Sequence, residues 1–202
     1  MQRVAESTVE TQGPPAPELT DGVLLLDRFT DPDIDSLWAG DDDDFVRRSG
    51  LPGPFTRRDI ANQIRRWQDQ WQHGMSERSF AVREEETRRL VGGCVLETRP
   101  DSGEIGELSY WVFPPYRCRG YATRSVVLVC GYAFDNLGIA SIDLYVEPTN
   151  GASLRVATKA GFLRASVARQ HDRRPGGPWD LVLFSRLRTA GQGSGPRVIG
   201  SI

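Results

Sequence analysis

The sequence has few of the residues that build disulfide frameworks and metal centres. Its 202 residues include three cysteines and two histidines, and no two cysteines form a Cys-x-x-Cys pair. Because an odd cysteine count does not make a disulfide framework, a reducing cytoplasm is the simplest location. The histidines, His73 and His171, lie far apart in the sequence, so we expect no metal.

Long apolar runs are also absent. No segment approaches the roughly 20 apolar residues of a membrane-spanning helix, and the polar, proline-containing start of the chain lacks the apolar core of a signal peptide. The net charge of −2 provides no general attraction to nucleic acid or to an anionic membrane. We therefore expect a cytoplasmic protein that binds neither of them.

The composition that remains is that of a soluble globular protein. Hydrophobic residues make up 39% of the chain and charged residues 26%, and the length suits one domain with its own core. We expect a flexible N-terminal segment over 1–20, a single domain over 21–187 and a disordered tail, rich in Gly and Ser, over 188–202.

Hydrophobic periodicity predicts the element order β-α-α-β-β-β-α-β-α-β-β. The predicted strands cover 22–29, 79–83, 90–97, 104–113, 141–147, 165–170 and 180–187, and the predicted helices begin near 31, 57, 121 and 150. Hairpins are mixed with a strand–helix–strand crossover, so we expect an α/β (α+β) fold with a mixed, mostly antiparallel sheet and helices on both faces. Trp67 and Trp71 repeat at helical spacing, which favours core positions over a role in a ligand pocket.

The segment from Tyr110 to Ser125 carries the strongest functional signal. An apolar strand passes through two prolines into a short basic loop containing Arg117, Arg119 and Gly120, and then into a long helix. Backbone N–H groups in the first turn of a helix have no intrahelical acceptor, and the helix dipole favours an anion beside them. Glycine has no Cβ and lets a ligand approach the backbone. We therefore predict a pyrophosphate site at this loop.

The spacing within the loop indicates which pyrophosphate it binds. It matches neither Gly-x-x-x-x-Gly-Lys-[Ser/Thr] nor Gly-x-Gly-x-x-Gly, so a nucleoside triphosphate or a dinucleotide is not expected. Instead, Arg117-x-x-Gly120-x-Ala122 resembles the coenzyme A signature of the GNAT acetyltransferases, Gln/Arg-x-x-Gly-x-Gly/Ala. Taken by itself, this short pattern also fits a surface turn that starts a helix.

Two further segments resemble the same superfamily. An apolar strand is followed by a Pro-x-Asn turn, by a helix with Ser, Arg and Lys, and by Gly-Phe. The matching positions are Asn150, Ser153, Arg155, Lys159, Gly161 and Phe162. Upstream, Glu107-Leu-Ser-Tyr-Trp111 is similar to the Glu-Ile-Gly-Tyr-Trp of the Rim-type branch, the ribosomal-protein N-terminal acetyltransferases and their small-molecule relatives. The resemblance covers residues 22 to 187.

This resemblance implies a GNAT fold and an acetyl-CoA-dependent N-acetyltransferase. The expected reaction moves an acetyl group to a primary amine, either a protein N-terminus or a small molecule, by direct transfer in a ternary complex. A homodimer is an option. The cofactor contacts that the resemblance implies are Val112, Phe113, Arg117, Cys118, Arg119, Gly120, Tyr121, Ala122, Thr123, Asn150 and Ser153.

Acetyl transfer also needs a base and an oxyanion donor. The resemblance assigns Glu107 as the base, acting directly or through a water, and the alternative is a solvent-facing strand residue without a role. Glu104 and Glu147 are weaker candidates. The amides of Val112 and Phe113 match the positions that pair with the pantetheine arm and that stabilise the oxyanion.

Three more side chains carry two interpretations each. Ser153 matches the serine of the Rim-type branch that is the candidate acid, yet a serine in a first helical turn also caps backbone donors. Asn150 either binds the pantetheine or caps the helix. Cys118 lies between two arginines and contributes its backbone N–H. A covalent acyl-cysteine intermediate is the weaker interpretation, because no histidine can be assigned beside it.

Other features concern the acceptor and the alternatives to catalysis. Ser109 replaces the glycine of the Rim-type pattern and narrows the space beside the thioester, and Arg124 stands where Glu is usual. The run Asp41–Asp44 lacks the spacing of a calcium loop, which favours a solvated loop over an acidic wall that attracts a cationic amine.

A non-catalytic acyl-CoA-binding or regulatory module is the alternative function. The net charge argues against a phosphate site for nucleic acid.

Overall fold

The computed structural model describes residues 17–40, 55–99, 104–169, 180–189 and 197–199. The acidic run 41–44 and His171 lie outside these residues. The described strands are β1 Glu18–Thr20, β2 Leu24–Asp27, β3 Glu77–Glu84, β4 Leu90–Thr98, β5 Ile105–Val112, β6 Ser141–Val146, β7 Leu163–Arg169, β8 Asp180–Leu187 and β9 Arg197–Ile199. The described helices are α1 Ile34–Gly40, α2 Arg57–His73, α3 Tyr121–Asn136 and α4 Gly151–Lys159, with short 3-10 helices at Asp31–Asp33 and Pro114–Tyr116.

The nine described strands form one sheet in the order β7-β8-β6-β5-β4-β3-β2-β1-β9. Every neighbouring pair is antiparallel except β5 and β6, which are parallel and are joined through α3. The mixed, mostly antiparallel sheet that the sequence predicts is therefore confirmed. Its one parallel pair requires a crossover connection, and the helix of that crossover follows the basic loop.

Helices cover both faces of the sheet. On β3, Phe80 and Val82 belong to the larger apolar cluster, to which α3 contributes Val126 and Val129. The residue between them, Ala81, belongs to a second cluster built with α1 and α2. Because side chains of a strand alternate between its two faces, α3 lies on one face of the sheet and α1 and α2 lie on the other.

Local signals set the ends of α2. The Thr56 hydroxyl accepts from the Asp59 amide at 3.2 Å, and the Asp59 carboxylate accepts from the Thr56 amide at 3.0 Å, which is a capping box. Gly74 ends the helix with a left-handed φ of 62°, a conformation that favours glycine. Trp71 is buried, which confirms its predicted core position, and Trp67 stacks on Phe29 with ring centroids 4.6 Å apart.

Arg83 on β3 joins strand β2 to the short 3-10 helix that precedes α1. Its guanidinium donates to Asp27 at 2.9 Å and to Asp33 at 2.7 Å, and only 11% of its side chain is exposed. Burial acts to raise the pKa of Asp33, but hydrogen bonds from Arg83 and Thr30 outweigh it and hold that pKa below its ordinary value. The ion-pair cluster therefore fixes the start of α1 against the sheet.

Two described strands lie within the chain ends that the sequence predicts to be flexible or disordered, and they correct those expectations at residues 18–20 and 197–199. The N-terminal segment 1–20 contains β1, whose Leu19 is fully buried, and the tail 188–202 contains β9, which pairs with β1. Strands of three residues are too short to show hydrophobic periodicity. Each of these strands is recognised only from its partner in the sheet.

Candidate active site

The parallel strands β5 and β6 part in the middle of the sheet. They pair from Ile105 with Ser141 to Glu107 with Asp143 and no further. Beyond this point β5 stays paired with β4 through Val112, and β6 stays paired with β8. The two strands therefore diverge after Glu107 and leave a cleft along the free edge of β5.

The backbone of β5 presents alternate residues to this cleft. The Phe113 amide donates to the Val91 carbonyl at 2.9 Å, so odd-numbered residues of this strand bond to β4. In an antiparallel ladder the residues between the bonded ones direct their N–H and C=O groups away from the partner strand. On β5 these are Leu108, Tyr110 and Val112, whose backbone groups face the cleft. The prediction that the Phe113 amide is an oxyanion donor is wrong, because that N–H already bonds to β4. The same role for Val112 remains a prediction.

The basic loop has two residues with left-handed backbone conformation just before helix α3. Cys118 and Gly120 have left-handed φ values of 63° and 82°, and a Cβ on Gly120 would have no atom within 4 Å. Helix α3 begins directly afterwards, and no side chain in the described part of the chain caps it. The first-turn amides of Tyr121, Ala122 and Thr123 therefore point along the helix axis toward the loop.

Side chains around the loop hold it in place. Arg117 donates through Nε to the Val112 carbonyl at 3.0 Å, and Arg119 donates to the Pro115 carbonyl at 3.2 Å. These bonds tie the loop to the end of β5 and to the 3-10 helix. Both arginines remain exposed, so each contributes positive charge at the position where the sequence predicts a pyrophosphate.

Glu84 is a carboxylate in this region that the sequence did not indicate. It accepts from the Tyr121 hydroxyl at 2.8 Å and lies 3.7 Å from a guanidinium nitrogen of Arg119. The hydrogen bond from Tyr121, with a second from Thr87, holds the pKa of Glu84 below its ordinary value. Glu84 ends β3, far from the loop in sequence, and only the sheet brings the two together.

Arg124 also bonds to a distant part of the sheet. Its guanidinium donates to the Asp21 carboxylate at 2.6 Å, so the residue that departs from the Rim-type pattern connects α3 to the turn between β1 and β2. The other departure, Ser109, is exposed on β5 at the edge of the cleft.

The candidate base and the α3 cluster lie on opposite faces of β5. Leu108 and Tyr110 pack in the apolar cluster of α3, whereas Trp111 packs against the cluster of α1 and α2. By alternation, Glu107 shares the face of Trp111. Glu107 is half-buried and lies at the last paired position before the cleft opens.

A polar cluster on β6 and β8 accompanies Glu107. Asp143, the partner of Glu107 on β6, is buried and accepts from Arg99 at 3.0 Å and from Ser185 at 2.6 Å. Arg99 also donates to the Tyr145 hydroxyl. Burial raises the pKa of Tyr145, and the negative charges of Asp143 and Glu107 act in the same direction. Sequence reasoning missed this cluster because Arg99 and Asp143 are 44 residues apart.

Ser153 and Asn150 begin α4 beside the cleft. The Asn150 side chain accepts from the Ser153 amide at 3.1 Å, so Asn150 is the helix cap. The Ser153 hydroxyl instead lies 2.6 Å from the hydroxyl of Tyr110 on β5. Burial raises the pKa of Tyr110 to about 12. The two motifs found in the sequence therefore meet through this pair.

Where the structure describes the chain, no group of three or more His, Cys, Asp or Glu side chains is arranged to hold a metal ion. None of the described helices combines the length and the apolar character needed to cross a bilayer.

Comparison with known proteins identifies similar chains. The model of the acetyltransferase (GNAT) domain matches residues 24–163. The uncharacterized N-acetyltransferase YoaA of Bacillus subtilis is 26% identical over 166 residues, which cover 82% of this chain and 93% of that protein.

Solved structures share the fold. Mycobacterium smegmatis RimJ in complex with CoA-disulfide has a TM-score of 0.69 and 15% identity, and the match covers 85% of both chains. Spermidine N-acetyltransferase from Vibrio cholerae, in complex with CoA and spermine, also has a TM-score of 0.69, with 16% identity over 83% of this chain and 96% of that chain. At these identities the likeness concerns the fold alone.

Proposed function

Because this chain belongs to the GNAT acetyltransferase family, we propose that it moves the acetyl group of acetyl-CoA directly to a primary amine in a ternary complex. One observation carries this proposal. The cleft between β5 and β6 opens at Glu107. Helix α3, which begins after the basic loop, packs on the face of the sheet opposite to the Glu107 side chain. A cofactor anchored on one face and an amine entering from the other would meet in this cleft.

The cofactor would bind at the loop and along β5. Its pyrophosphate would accept from the first-turn amides of α3, with the charges of Arg117 and Arg119 nearby. Its pantetheine arm would pair with the free edge of β5 as an added strand does, using the backbone groups of Tyr110. The Val112 carbonyl accepts from Arg117, and the Val112 amide is left for the thioester oxygen. The CoA complexes of the two similar structures support this assignment.

The transfer itself needs only groups at the cleft. The neutral amine nitrogen attacks the thioester carbonyl carbon, and the C=O electron pair moves to the oxygen, which the Val112 amide stabilises. Glu107 takes the proton that the nitrogen loses. When the C=O bond re-forms, the C–S bond breaks and its electron pair leaves with the sulfur, which accepts a hydrogen bond from Ser153. The products are the acetylated amine and coenzyme A.

The acceptor would approach over the face that carries Glu107. There the half-buried rings of Trp67 and Trp111 are stacked, with centroids 6.2 Å apart, over the buried ring of Phe29. The two tryptophans provide an aromatic surface that suits the apolar part of an amine. The similar structures include an enzyme for the polyamine spermidine. We therefore propose polyamines and peptide N-termini as the first acceptors for a screen.

Thermal unfolding with acetyl-CoA, ATP and NAD tests the cofactor assignment. A ligand at about 100 times its dissociation constant adds about 2.7 kcal/mol to the unfolding free energy. We expect acetyl-CoA alone to stabilise the protein, and release of free thiol with an amine panel then tests transfer. Stabilisation without thiol release for any amine would support the non-catalytic acyl-CoA-binding module. No stabilisation by acetyl-CoA would remove the cofactor site.

A further inference from the structure

The side chain of Tyr110 has no role in the proposed reaction, although its hydroxyl lies at the cleft. Its hydroxyl lies 2.6 Å from the Ser153 hydroxyl, and the two residues are 43 positions apart in the sequence. Ser153 is the group proposed to face the leaving sulfur. The bond therefore joins β5, at the free edge of the cleft, to the first turn of α4.

Chemistry decides which of the two hydroxyls donates. A phenol is a stronger acid than an aliphatic alcohol, and a serine oxygen accepts hydrogen bonds well. Burial raises the pKa of Tyr110 to about 12, so the phenol keeps its proton throughout the neutral range. The favoured arrangement is Tyr110 as donor and Ser153 Oγ as acceptor. The Ser153 hydrogen cannot then point at Tyr110 and is directed elsewhere.

Both partners are held by their surroundings. The ring of Tyr110 packs against the apolar cluster of α3, and the backbone of Ser153 is fixed by the cap from Asn150 at 3.1 Å. Neither hydroxyl needs to reorganise for the bond to persist. Donors held in place before charge develops stabilise that charge most effectively.

We propose that Tyr110 is a positioning residue that donates to Ser153 Oγ and so aims the Ser153 hydrogen at the sulfur of coenzyme A. The inference rests on the proposed function, because it requires the thioester to lie in the cleft. Tyr110 is neither consumed nor ionised. The C–S bond breaks, the sulfur keeps the electron pair and accepts the Ser153 hydrogen bond, and the proton of the amine stays with Glu107 until it reaches solvent.

Binding of coenzyme A and of desulfo-coenzyme A, in which hydrogen replaces the thiol, tests the inference without turnover. At about pH 10 a large share of an alkyl thiol is ionised, and a hydrogen bond to a charged group makes an affinity difference of about tenfold. We expect the wild-type protein to prefer coenzyme A by this factor, and Tyr110→Phe and Ser153→Ala to lose the preference. Tyr132→Phe is the matched control, since Tyr132 lies on α3 in the same apolar cluster and should retain it.

Turnover provides the second readout. Tyr110→Phe should lower kcat about tenfold with little change in KM for acetyl-CoA, and the double variant Tyr110→Phe/Ser153→Ala should be no slower than Ser153→Ala alone. If the double variant loses kcat by the product of the two single-variant factors, the inference is overturned, because Tyr110 then acts independently of Ser153. An unchanged kcat in Tyr110→Phe would overturn it as well.

The outcomes separate this inference from the proposed function. If the wild-type protein binds neither ligand, the cofactor site fails and the inference fails with it. If it binds both ligands equally, the cofactor site stands and the role of Tyr110 is overturned. Should Tyr110→Phe not fold, Ser153→Ala decides alone, because a retained preference for coenzyme A in that variant would exclude Ser153 from the sulfur.

Discussion

Gly120 is the residue on which the proposed pyrophosphate site in the basic loop depends most directly. Its φ of 82° is left-handed, and the space around its missing Cβ is open. The backbone can therefore turn sharply into α3 and leave the first-turn amides accessible. A side chain here would occupy the volume proposed for the pyrophosphate.

Replacement of Gly120 by Glu should abolish binding of acetyl-CoA. Bringing like charges together costs several kcal/mol, which corresponds to at least about a hundredfold loss of affinity, and it can be measured by calorimetry. Gly138→Glu is the matched control, because Gly138 has a φ of 69°, has open space beside it and follows the other end of α3. Both variants carry the same backbone strain of roughly 1–2 kcal/mol. Equal affinity in the two variants would remove the loop assignment.

Replacement of Glu107 by Gln should lower kcat about a hundredfold near pH 6–7, which is within the usual contribution of a general base. The loss should shrink as the pH rises, because hydroxide from solvent can then take the proton that the attacking nitrogen loses. Affinity for acetyl-CoA should not change. Glu104→Gln, a charge-matched change at an exposed residue just before β5, should leave the pH–rate profile as in the wild-type protein. A changed pH–rate profile in Glu104→Gln, with an unchanged profile in Glu107→Gln, would assign the base to Glu104.

Secondary-structure elements are held together here by a few buried polar contacts as well as by apolar packing. The cluster of Arg83, Asp27 and Asp33 joins β3 to β2 and to the start of α1. On the other side of the sheet, the pair of Tyr110 and Ser153 joins β5 to α4. The Tyr110–Ser153 pair lies at the cleft, whereas the Arg83 cluster lies on β3, separated from β5 by β4.

Replacement of Arg83 by Met should destabilise the fold by about 3–5 kcal/mol, because it leaves buried carboxylates without their counter-charge. Urea unfolding at pH 7 measures this loss. Arg57→Met is the control: Arg57 pairs with Asp35 at 2.8 Å, but both side chains are largely exposed, so the expected loss is below about 1 kcal/mol. Comparable losses in the two variants would show that the Arg83 cluster adds nothing beyond a surface pair.

The whole molecule depends on the arrangement of one sheet. Its single parallel pair separates after three positions, and this divergence creates the cleft. Helix α3 packs in the apolar cluster on one face and α1 in the cluster on the other, and the proposed cofactor and acceptor would approach from these opposite sides. The described ends of the chain meet at the far edge of the sheet, where β9 pairs with β1, well away from the cleft.

Features that depend on near neighbours in the chain were predictable. The end of α2 at Gly74 follows from a glycine conformation, and the helix start after Gly120 follows from the loop pattern. Strand β8 has the predicted bounds, whereas β7 begins at Leu163, two residues earlier than predicted. The cap formed by Asn150 spans three residues. Interactions over so short a distance need little chain closure, so the local pattern is sufficient.

Contacts between distant segments were decided only by the tertiary structure. The sequence predicted Ser153 and the amide of Phe113 as site groups. It did not show that the Ser153 hydroxyl bonds to Tyr110, or that the Phe113 amide already donates to the Val91 carbonyl. It also did not reveal β1 and β9. Strand pairing joins residues that are far apart in the chain, and its register depends on which faces are buried. The motifs were therefore sufficient to recognise the family and the loop, while the cleft and the partners of its side chains follow from how the sheet is assembled.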